Sequence, residues 1–324
     1  MKALLCRQHG LPDSLVLGDM EDPQPGAGEV VVDVRAAGVN FPDVLIIQNK
    51  YQHKPELPFA PGAEFSGVVS AVGEGVANRR VGDRVVGSCT FGAFAQKIRL
   101  SAARTFVMPQ ALDFERGAAF LLTYGTSFHA LLDRAQLRSG ETLLVLGAAG
   151  GVGLAAIEIG KALGARVIAA ASSPEKLAVC REHGADALVN YATEDLRDRI
   201  RVLTEGKGPD VIYDPVGGQY AEPAFRSIAW RGRYLVVGFA NGDIPRLPLN
   251  LALLKGASVV GVFWGQYTER EPARFQEDVA RMFEWITEGR LNPHVSGRYA
   301  LADGARALED LMNRKVMGKV LVLP

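Results

Sequence analysis

Leu143-Leu144-Val145-Leu146-Gly147-Ala148-Ala149-Gly150-Gly151-Val152-Gly153 decides how the chain is read. Its first four residues form an unbroken apolar run, as expected of a strand buried on both faces of a parallel sheet. Glycines then follow at 147, 150, 151 and 153. Residues 154–165 carry apolar side chains at Leu154, Ile157, Ala162 and Leu163, which suits a helix. Strand, glycine turn and helix are the context that a dinucleotide fingerprint requires. Ala148-x-Gly150-x-x-Gly153 is that fingerprint with alanine in place of its first glycine. Small residues let the backbone approach a pyrophosphate, and the helix N-terminus offers it free amides and a positive dipole end. A plain tight turn is the other reading of these glycines. The flanks favour the nucleotide site, with Ala149, Gly150, Gly151 and Val152 as its contacts.

Downstream, strands expected at residues 166–170, 187–189, 211–213, 234–237 and 258–263 alternate with helices at 174–183, 196–205 and 222–229. Such alternation predicts a doubly wound parallel sheet with right-handed crossovers, and a ligand site at the carboxyl ends of its strands. Upstream, residues 1–121 read as β-rich: short apolar segments at 15–17, 30–34, 67–72, 84–87 and 95–98 are divided by Gly, Pro and Asp. That spacing suits a small barrel or sandwich. Helices are expected at 115–122, 126–135, 272–289 and 303–314, with a terminal strand at 319–323 that returns to the first domain. The expected division is therefore 1–121 with 265–324, and 122–264.

The composition closes several other routes. Among 324 residues, 36 Lys and Arg balance 36 Asp and Glu, so nothing draws the chain generally to nucleic acid or an anionic membrane. The three cysteines, Cys6, Cys89 and Cys180, are too scattered for a disulfide framework or a metal knuckle, which suits a cytoplasmic protein. The start MKALLCRQHG has no apolar segment of a secretory signal, and no stretch approaches the ~20 apolar residues of a membrane span. His9, His53, His129, His183 and His294 show no ligand spacing and read as surface or helix decoration.

The end of the second expected strand bears on the choice of nucleotide. A site for NAD has an acid about twenty residues past the glycines, on the ribose 2′-hydroxyl. Here the chain reads Ala169-Ala170-Ala171-Ser172-Ser173, without one. An acid would repel a 2′-phosphate, so Ser172, Ser173 and the nearby Lys176 favour NADPH. The same residues also read as a helix start, with Ser173 at the N-cap and Pro174 at the first helical position. The two readings are compatible, since a capped N-terminus also binds anions. Tyr191, after the third strand, is a further candidate contact.

Three motifs together resemble one family. They are Ala37-Gly38-Val39-Asn40-Phe41-Pro42-Asp43; Gly62-Ala63-Glu64-x-x-Gly67-x5-Gly73-x-x-Val76; and Gly140-Glu141-x-x-Leu144 continuing through Ala148–Gly153 to Lys161. Their order and spread resemble the medium-chain dehydrogenase/reductase superfamily, in its zinc-free, zeta-crystallin-like quinone oxidoreductase branch. Glu158, where the family signature usually has Gln, reads as a minor departure. The resemblance implies an α/β protein with a β-rich GroES-like catalytic domain and a Rossmann cofactor domain. In the superfamily's zinc alcohol dehydrogenases the positions of Asn40 and Ala63 are a cysteine and a histidine, both metal ligands. A carboxamide and a methyl group cannot replace them, and the cysteine loop for a structural zinc is missing, so no metal is expected. Glu64 then reads as a half-buried acid met by a nearby Arg or backbone.

The resemblance further implies that Asn40, Tyr51 and Thr126 line the nicotinamide pocket. Gly238 and Phe239, and Phe263, follow the fifth and sixth strands where family loops approach the nicotinamide; plain hydrophobic packing is the other reading. Lys319 is a candidate for the adenosine phosphate. A homodimer through the apolar edge at 256–263 is also implied. The expected activity is hydride transfer from NADPH to a small-molecule quinone or α,β-unsaturated carbonyl. An enoyl-thioester reductase and a non-catalytic NADPH-binding protein are the alternatives.

Overall fold

Short valine-rich strands, broken by glycine and proline, build the first of two units in the computed structural model, which describes residues 1–324. This unit comprises Met1–Leu122 and Pro293–Pro324. Its first segment runs β1 (Lys2–Leu5), β2 (Val16–Asp19), β3 (Glu29–Gly38), α1 (Phe41–Ile47), β4 (Glu64–Val72), β5 (Arg84–Ser88), β6 (Lys97–Ser101), β7 (Thr105–Val107) and α2 (Phe114–Ala118). The ten-residue β3 is the axis of the sheet, pairing antiparallel with β4 and β6. Register shifts between Val31 and Val32 and between Val34 and Ala36 bend it, as bulges do. Val30, Val32, Phe65, Val85 and Phe94 form the core.

The second unit, Thr123–Asn292, is the doubly wound half. It follows α3 (Leu121–Phe128) with β8 (Thr142–Leu146), α4 (Gly151–Ala162), β9 (Arg166–Ala171), α5 (Pro174–Glu182), β10 (Ala187–Asn190), α6 (Leu196–Leu203), β11 (Val211–Asp214), α7 (Ala221–Ser227), β12 (Arg233–Val236), α8 (Leu249–Lys255), β13 (Ser258–Gly261), α9 (Trp264–Arg270) and α10 (Pro272–Thr287). The six strands lie in the order β10-β9-β8-β11-β12-β13, all parallel. Four of the five β8 residues are buried, as the apolar run predicts.

The chain then returns to the first unit through β14 (Val295–Ala300), α11 (Gly304–Met312) and β15 (Lys319–Leu323). β15 pairs antiparallel with β3, Leu321 opposite Gly38 and Val322 opposite Ala37. The seven-stranded sheet is ordered β14-β15-β3-β4-β5-β7, with β6 also on β3.

Several expectations are corrected. The boundary expected at 264/265 lies at 292/293, because the helices α9 and α10 pack on the second unit: Trp285 meets Phe128 at 5.4 Å between ring centroids, and Arg274 reaches Asp133 at 2.5 Å. The short elements β1, β7, α1, α8, α9 and β14 were not legible, since none is long enough to establish a period. The helix expected at 126–135 starts at Leu121 and ends in a π-helical turn, His129–Arg134. Two histidines are not surface decoration. His129 is buried and stacks on Tyr267 at 4.1 Å, and His183 lies 2.6 Å from a carboxylate oxygen of Glu158. No helix is long and apolar enough to cross a membrane.

Candidate functional site

The glycine turn has a distinct reason at each position. Gly147 adopts φ +56°, and a Cβ there would stand 2.6 Å from Val216. Gly153 allows α4 to sit close behind the turn: a Cβ would stand 2.6 Å from the carbonyl oxygens of both Ala148 and Gly147. Gly150, the N-cap of α4, differs, because a Cβ there would meet only the Gly147 oxygen, at an ordinary 3.4 Å. The chain's own packing does not demand glycine at that point, and the space a side chain would fill lies open to a ligand. Gly150, Gly151 and Val152 are half-buried, while Ala149 is buried. The first-turn amides of α4 have no partner within the helix. The turn thus fits a nucleotide pyrophosphate.

Beside it, β9 ends at Ala171 without an acid. Ser173 caps α5, its hydroxyl accepting from the Lys176 amide at 3.4 Å. The Lys176 ammonium donates to the Ser172 hydroxyl at 3.3 Å. Tyr191 joins this group, its amide donating to the Ala171 carbonyl at 3.1 Å and its ring lying 4.3 Å from that of Tyr220. Sequence reasoning passed over Glu175, the acid of α5's first turn. It bonds the Ser173 hydroxyl, which holds its carboxyl below the usual range. Gly238 and Phe239 follow β12, the Phe239 ring lying 2.9 Å from where a Gly217 Cβ would stand. Phe263 is 51% exposed. Thr126, on α3, is half-buried.

Glu158 is no minor departure. Its Oε2 accepts from the Tyr124 hydroxyl and the Asn292 amide, both at 2.8 Å, and Oε1 meets His183 Nδ1. One buried carboxylate on α4 ties together three distant segments. Burial and this carboxylate hold the Tyr124 phenol far above its usual range.

In the first unit a second buried cluster forms where β3 gives way to α1. Asn40 precedes α1 in extended conformation, and its N–H donates to Asp43 Oδ2 at 2.8 Å, half of a capping box. Asn40 Nδ2 donates to Glu64 Oε1 at 3.0 Å and to the Gly38 carbonyl at 3.2 Å. Glu64 Oε2 accepts the Leu122 amide at 2.9 Å. The pairing of β15 with β3 brings in Lys319, whose ammonium donates to the Val39 carbonyl, Asn40 Oδ1 and Glu64 Oε1 at 2.8, 2.6 and 2.5 Å.

These groups are 0–5% exposed. Desolvation pushes the Asp43 carboxyl up to about 7; Glu64 adds to the rise, while the Asn40 N–H, the Lys319 charge and the Gly62 amide oppose it. Asp43 Oδ1 has no hydrogen-bond partner. Tyr51 is half-buried, and burial together with the Asp43 charge raises its phenol. Burial also holds the Cys89 thiol far above its usual range, so it is no nucleophile.

The cluster bears on three of the residues singled out in the sequence. Lys319 is not placed for an adenosine phosphate: all three of its N–H donors are spent inside the first unit. Asn40 has both carboxamide hydrogens committed, so it is not a free donor to a substrate oxygen. Glu64 is fully buried rather than half-buried; of the two partners expected, the backbone is present in the Leu122 amide, and the cation is a lysine rather than an arginine.

Comparison with known proteins bears on both units. Residues 26–110 match the family model of the alcohol dehydrogenase GroES-like domain, and residues 151–287 that of the zinc-binding dehydrogenases. A quinone oxidoreductase-like protein 2 homolog of Nematostella vectensis is 38% identical over 325 residues, covering 99% of this chain and 88% of its own. The quinone oxidoreductase of Pseudomonas aeruginosa is 37% identical, covering 100% and 99%. The chain belongs to the medium-chain dehydrogenase/reductase superfamily, in its quinone oxidoreductase branch. Among solved structures of that branch, Escherichia coli quinone oxidoreductase complexed with NADPH superposes with a TM-score of 0.93 at 31% identity, over all of both chains. The zinc in the second family model's description does not suit this branch member. Positions 40 and 63 offer an amide and a methyl, and the cation bonded to Asn40 and Glu64 is an ammonium.

Proposed function

We propose that the chain is an NADPH-dependent oxidoreductase that reduces quinones or α,β-unsaturated carbonyls without zinc. The observation that carries this reading is the acid-free end of β9, followed by Ser172 and Lys176 bonded to each other, together with the open glycine of the α4 turn. A carboxylate at that end would favour the ribose hydroxyl of NAD; a lysine with two hydroxyls favours a 2′-phosphate. NADPH bound there supplies a hydride, so that quinone, NADPH and a proton give hydroquinone and NADP⁺.

The residues' own parts follow from charge. Reducing a simple ketone concentrates a full alkoxide on one oxygen, whereas a quinone or enone spreads that charge through a conjugated anion. Neutral donors then suffice where no Lewis acid is at hand. Tyr51, its phenol protonated well beyond neutral pH, is the residue assigned to deliver the final proton, directly or through a water. Thr126 is assigned to orienting the reacting carbons, and Asn40 to positioning. Gly150, Gly151 and Val152 hold the pyrophosphate, with Ala149 behind them, and Tyr191, Gly238, Phe239 and Phe263 complete the cofactor surface. The three unpaired thiols suit a reducing cytoplasm.

The partner is a second copy of the chain. β13 is one of the two edges of the six-stranded sheet, and beside it in sequence Leu249, Leu253 and Leu254 are 81%, 80% and 68% exposed. Exposed leucines and an open edge call for cover. Sedimentation should give twice the chain mass, and Val259→Lys on β13 should give a monomer; a wild type that sediments as a monomer removes this part of the proposal.

The deciding experiment follows NADPH oxidation against quinones, enones, enoyl-CoA esters and simple aldehydes, with and without a chelator. Quinones or enones should be turned over fastest, and the chelator should change nothing. Aldehydes reduced as fast as quinones, or activity lost to the chelator, would count against the reading.

A further inference from the structure

We propose that Lys319 is a positioning residue for this reaction, the fixed cation that locks the side chain and backbone of Asn40. The inference rests on the functional reading above. An ammonium has three donors, and here each has its own acceptor: the carbonyl before Asn40, the Asn40 side-chain oxygen, and Glu64. The bonds bracket one residue. Asn40 Oδ1 faces the ammonium, and Nδ2 faces the Glu64 carboxylate. Turning the amide over would set an NH2 group against the ammonium and an oxygen against the carboxylate. Charge on both sides thus allows a single orientation, which an apolar or neutral surround would not enforce.

The arrangement also reaches further along the chain. Glu64 Oε2 accepts the Leu122 amide near the start of α3, and the Asn40 N–H feeds Asp43 in the first turn of α1. Lys319 belongs to β15, 279 residues from Asn40, so the C-terminal strand sets the geometry of the β3–α1 junction. Arginine is no substitute, because its planar fork cannot turn three donors onto three convergent acceptors.

The test compares the full-length wild type with K319M and with E64Q/K319M, which removes both charges and so avoids stranding a buried carboxylate. Three quantities are read: kcat and KM on the best acceptor, NADPH binding by fluorescence, and hydrogen exchange of the Gly38–Asn40 amides. In both variants kcat should fall about ten- to a hundredfold, the scale of a misplaced reacting geometry. KM and NADPH affinity should stay within about twofold. The Gly38–Asn40 amides should exchange faster in both. An E64Q/K319M variant with wild-type kcat and unchanged exchange would reduce Lys319 to a counter-charge and overturn the proposal. A wild type inactive on every acceptor would sink the functional reading instead, and hydrogen exchange would still decide whether Lys319 locks Asn40.

Discussion

In the first unit the polar groups around Asn40 bond to one another; in the second those around the α4 turn are half-buried and partly open. Lys319, Asn40, Asp43 and Glu64 are nearly sealed from solvent, and Lys319 and Asn40 have no donor left over. Gly150, Gly151, Val152, Ser172, Ser173 and Lys176 are all half-buried. A cluster whose Lys319 and Asn40 donors are all committed can stabilise and position, but those donors are not left over to bind. An open edge gives up some stability and keeps its donors for a ligand. Substitutions in the first should therefore appear in unfolding, and substitutions in the second in affinity.

The largest effect is expected from K319M. Removing one member of a buried pair leaves an uncompensated charge and costs about 3–5 kcal/mol. E64Q/K319M should recover most of that, ending within about 1–2 kcal/mol of wild type, since neither charge remains buried alone. In the second unit, Lys176→Ala should shift unfolding by less than about 1 kcal/mol, as for a partly solvated surface contact. Urea unfolding measures all three. A K319M protein as stable as wild type would erase the contrast.

Next comes the pH dependence of the sealed cluster. The Asp43 carboxyl stands at about 7 in the folded chain, mainly through desolvation, against an ordinary value near 4 when unfolded. Between those pH values the folded state holds a proton that the unfolded state has lost, so stability falls as pH rises through the window and the cost is complete above it. Three units at 1.36 kcal/mol each set a ceiling of about 4 kcal/mol, and about 2–4 kcal/mol should be lost from pH 4 to pH 8. Asp43→Asn should flatten that slope. A wild type whose Asp43-dependent stability rises with pH would contradict the desolvation argument.

What the sequence shows in advance divides along the same line. The α4 turn was legible because all its parts lie within eleven consecutive residues, and a strand–glycine–helix pattern is local. The cap at Ser173 was legible for the same reason. The Lys319 cluster was not, because the pairing of β15 with β3 joins residues 279 apart, and nothing in Met317-Gly318-Lys319 announces a buried ammonium. The role of Glu158 is hidden for the same reason: its partners lie 34, 25 and 134 residues away. The GroES-like half reads as β-rich, but its helix α1 is not legible, because seven residues opening on Phe-Pro-Asp give no period.

In the open region the main expected effect is on cofactor choice. Charge-assisted hydrogen bonds contribute about 1.5–3 kcal/mol, so one or two partly solvated contacts should favour NADPH over NADH about ten- to a thousandfold. Ser173→Asp, which sets a carboxylate there while still capping α5, should remove most of that preference with little change in NADH affinity or in unfolding. Lys176→Ala should remove less, since the hydroxyls of Ser172 and Ser173 remain. Fluorescence titration with both cofactors gives the ratio directly. Equal affinity of the wild type for the two would refute the reading of the β9 edge.

The smallest effect sharpens the comparison most. Glu175 is a negative charge that the open edge already carries, bonded to the Ser173 hydroxyl and fully exposed. If Ser173 and Lys176 receive a 2′-phosphate, Glu175 opposes it twice, by like charge and by occupying a hydroxyl the phosphate would use. Glutamine removes the charge while keeping an acceptor for Ser173 and an ordinary residue in the first turn of α5. Exposed charges are well screened, so Glu175→Gln should raise the NADPH preference only about two- to fivefold. The gain should shrink with added salt, because screening acts on the repulsion and not on the hydroxyl. The same test at the sealed cluster would give no such salt dependence, since water and ions do not reach Glu64. A gain at Glu175 that persists unchanged in high salt would rule out repulsion as its cause, and with it a 2′-phosphate beside Glu175.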